Sequence, residues 1–389
     1  MPGKEAFSKS KKKEKAQLTE RKKLTTNQHI DTLESEISKT KYNKRTQHAV
    51  GLMKAKLAML REKAEIRAGV GKGKGDDRFS VRRTGDATVL LLGFPSVGKS
   101  TLLNKLTSAK SEIAAYSFTT LSAVPGLLEY KFSKIQIIDV PGIVSGAAAG
   151  RGRGKEVLAM MRNADLILIL IDALFPQHHD ALLDEIAQTG VRINQQKPDV
   201  KITKKPKGGL GIGLTVHLTK TDKETIIDIA REMRLNNADI LIREDIDADQ
   251  LIDIIDGNRF YTKALTVLTK ADLVDQKTLG ELKELIKPDV VVAAEKGEGI
   301  PELKDAIYNK LGFIKIFLKE VNKKPDMEEP LIMFNGCTIR DVCEKLHRAF
   351  VEKFKFARVW GKSAKFDGQV YRKLDKELHD GDILELHIK

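Results

Sequence analysis

Residues 87–100 read ATVLLLGFPSVGKS, and this stretch decides the fold. The run Ala87 to Leu92 predicts a buried strand, and Lys99 to Ala109 predicts a helix. The residues between them fit the glycine-rich pattern of a phosphate-binding loop, which joins a strand to a helix. Glycines let backbone N–H groups converge on phosphate oxygens at the N-terminus of that helix. The predicted nucleotide contacts of this loop are Gly93, Phe94, Pro95, Ser96, Val97, Gly98, Lys99, Ser100 and Thr101.

Three further residues complete the predicted phosphate and magnesium site. Lys99 is expected to bridge the β- and γ-phosphates, and the Ser100 hydroxyl is expected to ligate Mg²⁺. Asp139 ends the next apolar strand and can hold Mg²⁺, while the N–H of Gly142 can sense the γ-phosphate. Thr120 is expected to complete the Mg²⁺ shell. The predicted metal ligands are therefore Ser100, Thr120 and Asp139, and the predicted catalytic residues are Lys99, Thr120 and Gly142.

A second motif, Thr269-Lys270-Ala271-Asp272, follows a later apolar strand and indicates a site for a purine base. The Asp272 carboxylate can accept hydrogen bonds from the ring N–H and the exocyclic amine of guanine. Adenine has no donors at these positions, so it would leave a carboxylate unpaired. Lys270 would cover the base, and Thr269 stands where Asn is more usual. Backbone N–H groups of Ala293, Ala294 and Glu295 are expected to complete the pocket.

Continuous apolar strands alternating with helices predict a mostly parallel sheet covered by helices on both faces. The fold class is therefore α/β, with a helical hairpin before the nucleotide domain, an α+β insertion inside it and a small β-grasp module after it. The predicted segments are a basic disordered tail at 1–25, a helical hairpin and hinge at 26–75, the two parts of the nucleotide domain at 76–174 and 258–320, the insertion at 175–257 and the β-grasp module at 325–389.

The net charge of +14 is concentrated near the start of the chain, where residues 1–80 hold 21 Lys+Arg against 10 Asp+Glu. A concentrated basic arm favours a polyanion partner such as RNA bound through its phosphates. Lys204 to Lys207 are further candidates for RNA contact. No apolar run is long enough for a membrane span, and the lysine-rich start is not typical of a secretory signal. Two cysteines, Cys337 and Cys343, exclude a disulfide scaffold and suit a reducing cytosol.

The sequence resembles Obg-family GTPases, most closely the developmentally regulated GTP-binding subfamily. The resemblance is carried by the phosphate loop and by the stretches Phe118 to Thr120, Asp139 to Ile143 and Gly146 to Gly154. The region 330–389 is similar to the TGS domain that ends this subfamily, and 175–257 to its ribosomal-protein-like insertion. The resemblance implies a P-loop GTPase that is cytoplasmic and linked to ribosomes, ribosomal RNA and translation. Eukaryotic members of the subfamily also have stabilising partner proteins.

The resemblance implies hydrolysis of GTP to GDP and phosphate, but with a slow intrinsic rate. Many small GTPases place a water-orienting Gln at the position of Ile143, and isoleucine cannot hydrogen-bond water. Relatives with Asn at the position of Ser96 can use K⁺, so K⁺ is a candidate second cation here. Two other functions stay open at this stage. One is a metabolic phosphotransferase with the same loop, and the other is a nucleotide-dependent RNA-binding scaffold that does not hydrolyse GTP.

Overall fold

The computed structural model describes residues 26–41, 43, 45–67, 85–107, 124–140 and 154–388. It divides into two compact units, one formed by Met1–Asp76 with Gln196–Arg259 and the other by Asp77–Gln195 with Phe260–Lys389. The predicted tail at 1–25 lies outside the described residues, and so does most of the predicted hinge before Gly85. In the part of the chain that the structure describes, no helix is both long and apolar enough to span a membrane.

Helices and strands alternate through most of the chain. The helices are α1 (Thr26–Lys39), α2 (Gln47–Arg67), α3 (Lys99–Leu106), α4 (Gly154–Asn163), α5 (His178–Gln188), α6 (Lys223–Glu232), α7 (Ala248–Asp256), α8 (Gln276–Ile286), α9 (Ile300–Leu311), α10 (Ile339–Leu346) and α11 (Arg348–Glu352). The strands are β1 (Ala87–Leu92), β2 (Val124–Tyr130), β3 (Ser133–Asp139), β4 (Leu166–Asp172), β5 (Val191–Ile193), β6 (Val200–Lys204), β7 (Leu210–Leu214), β8 (Ala238–Ile242), β9 (Phe260–Thr269), β10 (Val290–Val291), β11 (Phe313–Leu318), β12 (Leu331–Phe334), β13 (Phe354–Trp360), β14 (Gln369–Tyr371) and β15 (Ile383–Ile388).

The larger unit is built on a seven-stranded sheet in the order β10-β9-β4-β1-β3-β2, with β5 beside β9. All neighbours are parallel except β2, which forms an antiparallel hairpin with β3. Every residue of β1 and β4 is buried. Apolar side chains of α3 and α9 pack on one face, and those of α4, α5 and α8 pack on the other. The predicted mostly parallel sheet covered on both faces is confirmed.

The insertion begins later in the chain than the sequence indicated. The prediction assigned α5 and β5 to the insertion at 175–257. In the structure β5 pairs with β9, so that Val191 lies opposite Phe260, and Leu182 of α5 packs in the core of the sheet. These elements therefore belong to the nucleotide domain, and the insertion spans residues 196–259.

The smaller unit joins the N-terminal helices to the insertion. Its three-stranded sheet has the order β6-β8-β7, with α6 and α7 packed on one face. Helix α2 packs on the same helices, because Gly51 lets it approach Ile229 and Ala248. Polar contacts support this packing: Lys54 Nζ lies 2.5 Å from Asp249 Oδ2, and His48 Nε2 lies 3.1 Å from Asp228 Oδ2. Helix α2 of the predicted hairpin is therefore part of the insertion's core.

The last module has a five-stranded sheet in the order β12-β11-β15-β13-β14, with α10 packed over one face. Thr338 and Asp341 form a capping box at the start of α10. This β-grasp arrangement follows directly after α9 of the nucleotide domain. An ion pair of 2.6 Å between Lys345 Nζ and Asp86 Oδ1 joins α10 to the residue before β1. The module is therefore fixed to the nucleotide domain and is not a free tail.

Candidate nucleotide-binding site

The phosphate loop lies between β1 and α3, at the carboxyl edge of the sheet. Gly93 is buried, and a Cβ there would lie only 2.9 Å from the carbonyl oxygen of Leu170. Ser96 and Gly98 have φ angles of 63° and 96°, a left-handed conformation that turns the chain into α3. Residues 93–98 thus form the turn between β1 and α3, and Lys99 and Ser100 lie in the first turn of the helix. Thr101 follows in the same turn.

Lys99 folds back over the loop that precedes it. Its ammonium group donates hydrogen bonds to the carbonyl oxygens of Gly93 and Phe94, each at 3.0 Å. Burial lowers the pKa of Lys99 below its ordinary value of 10.5, and the nearby Asp139 carboxylate opposes this shift. A buried cation held by two neutral carbonyl oxygens is ready to exchange them for phosphate oxygens.

Asp139 and Ser100 meet at the end of β3, and together they fit a magnesium ion. The Ser100 hydroxyl donates to Asp139 Oδ2 at 3.0 Å, while the buried Asp139 Oδ1 has no hydrogen-bond partner among the residues that the structure describes. An orphaned buried carboxylate oxygen beside a hydroxyl is the kind of hard donor set that Mg²⁺ prefers. Within the described ranges, no group of three acidic, histidine or cysteine side chains forms a complete metal cage. Mg²⁺ commonly keeps waters and phosphate oxygens as its other ligands.

The motif Thr269 to Asp272, which is expected to bind the base, lies beside the phosphate loop. Thr269, the last residue of β9, is buried and directs its hydroxyl to the carbonyl oxygen of Val97 at 2.9 Å. The same hydroxyl lies 3.1 Å from the carbonyl oxygen of Ile171 at the end of β4. Thr269 thus ties the base motif to the phosphate loop, even though it replaces the more usual Asn.

Lys270 and Asp172 form an ion pair that the sequence analysis did not identify. Lys270 Nζ lies 2.7 Å from Asp172 Oδ2, and the Asp172 side chain is only 6% exposed. The other oxygen, Asp172 Oδ1, accepts a hydrogen bond from the backbone N–H of Leu174 at 2.9 Å. Lys270 itself has a left-handed backbone, with φ of 56°. Both oxygens of the Asp172 carboxylate are therefore hydrogen-bonded: one to a backbone N–H, which holds the acid in place, and the other to Lys270 at the edge of the sheet.

Asp272 lies in a short turn after Lys270 and is mostly covered. Its Oδ2 is 3.7 Å from Lys296 Nζ, with side-chain exposures of 13% for the acid and 55% for the lysine. The N–H of Ala293 donates to the carbonyl oxygen of Glu298 at 3.0 Å. The predicted base contact through Ala293 is therefore not free in this structure, because that N–H closes the loop. Ala294 and Glu295 stay as predicted contacts.

Some predicted site residues lie outside the described residues. These are Thr120 and Gly142, together with Ile143. The structure also adds residues that the sequence analysis missed. His178 stacks on Phe94 of the phosphate loop with ring centroids 4.1 Å apart. Its position at the start of α5, just after the carboxyl end of β4, is the signal that would have identified it.

Three family models match the chain in consecutive segments. Residues 88–205 match a model described as a 50S ribosome-binding GTPase, and residues 207–313 match the C-terminal region of the MMR_HSR1 domain. Residues 314–388 match the TGS domain. The fold and the site therefore define the class of this chain: a P-loop GTP-binding protein with a C-terminal TGS domain.

Relatives that match more than nine tenths of the chain identify the family within this class. A GTP-binding protein of Methanocaldococcus jannaschii is 52% identical over 366 residues, which cover 93% of each chain. Developmentally-regulated GTP-binding protein 1 of Xenopus laevis is 39% identical, over 92% of this chain and 97% of the relative. Developmentally-regulated G-protein 3 of Arabidopsis thaliana is 40% identical, over 92% and 98%. The chain belongs to the developmentally regulated GTP-binding protein family.

Proposed function

We propose that this chain is a GTP-hydrolysing molecular switch that works on ribosomes or RNA in the cytoplasm. The observation that carries the proposal is the contact between Thr269 Oγ1 and the Val97 carbonyl oxygen, at 2.9 Å. This contact sets a motif suited to guanine directly beside a loop suited to phosphates. One guanine nucleotide can therefore occupy both, with its base at Asp272 and its phosphates at Lys99.

Binding exchanges internal contacts for contacts to the nucleotide. Lys99 would leave the Gly93 and Phe94 carbonyl oxygens for the β- and γ-phosphates, where its charge is better neutralised. Mg²⁺, held by Ser100 and Asp139, would neutralise phosphate charge when bound. Thr120 and Gly142 would complete the site around the γ-phosphate. The reaction then consists mainly of positioning a water and stabilising charge.

The residue after Gly142, where many small GTPases have a side chain that orients the attacking water, cannot orient a water here. Ile143 follows Gly142 in the sequence and offers no hydrogen bond to a water. Intrinsic hydrolysis should therefore be slow, and a cation or a partner protein should accelerate it. Turnover measured in KCl and in NaCl at equal ionic strength tests for K⁺; equal rates would remove K⁺ from the proposal.

The ribosome or RNA partner is supported by charge and by family. Residues 1–80 carry most of the net charge of +14, and the model matching 88–205 is described as a ribosome-binding GTPase. Deleting residues 1–25, which leaves helix α2 packed on the insertion, should weaken co-sedimentation with ribosomes while leaving GTP affinity nearly intact. Cross-linking to ribosomes in cell extract with GTP, GDP or a non-hydrolysable analogue tests the switch. Cross-links that do not depend on the nucleotide would reject it.

A further inference from the structure

The second residue of the phosphate loop, Phe94, is held by contacts outside the loop. Phe94 is half-buried and packs against the core of the sheet, whereas Pro95 and Ser96, which follow it, are exposed. The ring of Phe94 stacks on the imidazole of His178 at the start of α5, with centroids 4.1 Å apart and an angle of 21° between the planes. The position of the loop therefore depends on Phe94 and on what its ring contacts.

The imidazole of His178 makes a second ring contact. It stacks on Phe175, with centroids 5.5 Å apart and an angle of 19° between the planes. An imidazole suits this half-buried place, because its flat ring can stack while its nitrogens tolerate water. His178 thus holds Phe94 of the phosphate loop and is itself supported by Phe175.

Hydrogen bonds within the loop between β4 and α5 fix the place of His178. The N–H of Phe175 donates to the carbonyl oxygen of Asp172 at 2.9 Å, and the N–H of His178 donates to that of Phe175 at 3.1 Å. The N–H of Leu174 donates to Asp172 Oδ1 at 2.9 Å. Asp172 also holds Lys270 of the base motif, at 2.7 Å. This loop therefore connects the lysine of the base motif to the phosphate loop.

The contact between Phe94 and His178 gains importance when a nucleotide binds. The Phe94 carbonyl oxygen accepts a hydrogen bond from Lys99 Nζ at 3.0 Å, which ties the loop to the first turn of α3. In the proposed function, on which this inference rests, Lys99 exchanges that oxygen for phosphate oxygens. The loop then loses an internal hydrogen bond while its N–H groups have to keep pointing at the phosphates. The ring stack does not involve Lys99, so it persists through this exchange.

We propose that His178 is a positioning residue for the phosphate loop. By stacking on Phe94 it keeps the loop in its phosphate-binding shape and so slows the release of GDP and GTP. His178 acts through the Phe94 ring, without a contact of its own to the nucleotide. The inference deepens the proposed function by adding a residue, distant from the loop in the sequence, that sets how long the nucleotide stays bound.

The test uses the full-length chain loaded with a fluorescent guanine nucleotide and Mg²⁺, then chased with an excess of unlabelled nucleotide. His178→Ala should raise the dissociation rate about three- to tenfold, the effect of losing one ring stack. His178→Phe keeps a ring and should restore the wild-type rate, whereas His178→Gln, which has no ring, should not. The matched control is His179→Ala, because the neighbouring His179 bonds to Asp180 at 2.8 Å. An unchanged rate in His178→Ala, or rescue by Gln and not by Phe, would overturn the inference.

A second measurement shows whether the histidine acts through Phe94. In a Phe94→Leu chain, which has no ring at this position, adding His178→Ala should cause little further change in the dissociation rate. A full effect of His178→Ala in that background would mean that the histidine works by another route, and the proposed role would be wrong.

The same experiment separates this inference from the proposed function. If the wild-type chain binds no guanine nucleotide, the proposed function fails and the inference fails with it. If the wild-type chain binds the nucleotide and releases it at the same rate as His178→Ala, only the positioning role of His178 fails.

Discussion

Asp172 ends β4 and Lys270 directly follows the neighbouring strand β9, and their side chains meet at 2.7 Å although they are 98 positions apart in the sequence. Asp172 lies directly opposite Thr269 in the pairing of β4 with β9. The acid is nearly buried, while the lysine is 31% exposed. A buried carboxylate thus anchors a lysine that is otherwise long and mobile.

Asp172→Asn should weaken binding of GDP and GTP by about tenfold, because the lysine loses a charge-assisted hydrogen bond of about 1.5–3 kcal/mol. Titration with a fluorescent guanine nucleotide measures this change. Asp172→Glu should recover part of the loss. Asp180→Asn is the matched control, since Asp180 is 91% exposed on α5 and forms an ion pair with its neighbour His179. Equal affinity of the Asp172→Asn variant and the wild type would contradict the anchoring role.

Asp272→Asn should change the base that the site prefers. A carboxylate accepts from the ring N–H and amine of guanine, whereas an amide can also donate to a carbonyl at the position of that amine. We expect affinity for GTP to fall by at least about tenfold and affinity for xanthosine triphosphate to rise. Competition between the two nucleotides measures the switch. Binding of the xanthine nucleotide also shows that the variant is folded. Unchanged preference for guanine would remove Asp272 from the base site.

Ser100→Ala should separate magnesium binding from phosphate binding. The substitution removes the hydroxyl that donates to Asp139 at 3.0 Å and leaves that carboxylate without this partner. Affinity for GTP in the presence of Mg²⁺ should fall by about tenfold or more, the effect of losing one ligand in the metal shell. The control is the same titration in EDTA, where variant and wild type should agree. A variant with full Mg²⁺ dependence would show that other groups hold the ion.

The two cysteines should be unreactive in the native protein. Burial raises the pKa of Cys337 and of Cys343 to about 11. At pH 8 neither thiol should react with a disulfide reagent until the chain unfolds, when two thiols should appear. The thiols stay protonated in the folded state but ionise when unfolded, so their contribution to stability is present below about pH 9 and lost as the pH rises through about 11. Rapid native labelling would contradict this.

Motifs with fixed local geometry could be predicted from the sequence, and long-range pairs could not. The phosphate loop is a strand, a turn and a helix, so its residues carry the whole signal, as do Thr338 and Asp341 at the start of α10. Lys296 near Asp272 depends on how separate loops pack, and no local pattern records it. The start of the insertion was placed too early because α5 is an ordinary amphipathic helix, and only the pairing of β5 with β9 assigns it to the larger sheet.

The insertion is attached to the larger sheet at two neighbouring strands, β5 and β9. The backbone leaves the larger sheet after β5 and returns at the start of β9, and these strands are neighbours in parallel register. The exit and return points are therefore only about 10 Å apart, since β5 has three residues of about 3.3 Å each. An insertion whose two ends lie this close together leaves the order of the surrounding strands unchanged. A change in the length of residues 196–259 is therefore compatible with the same order of strands in the larger sheet.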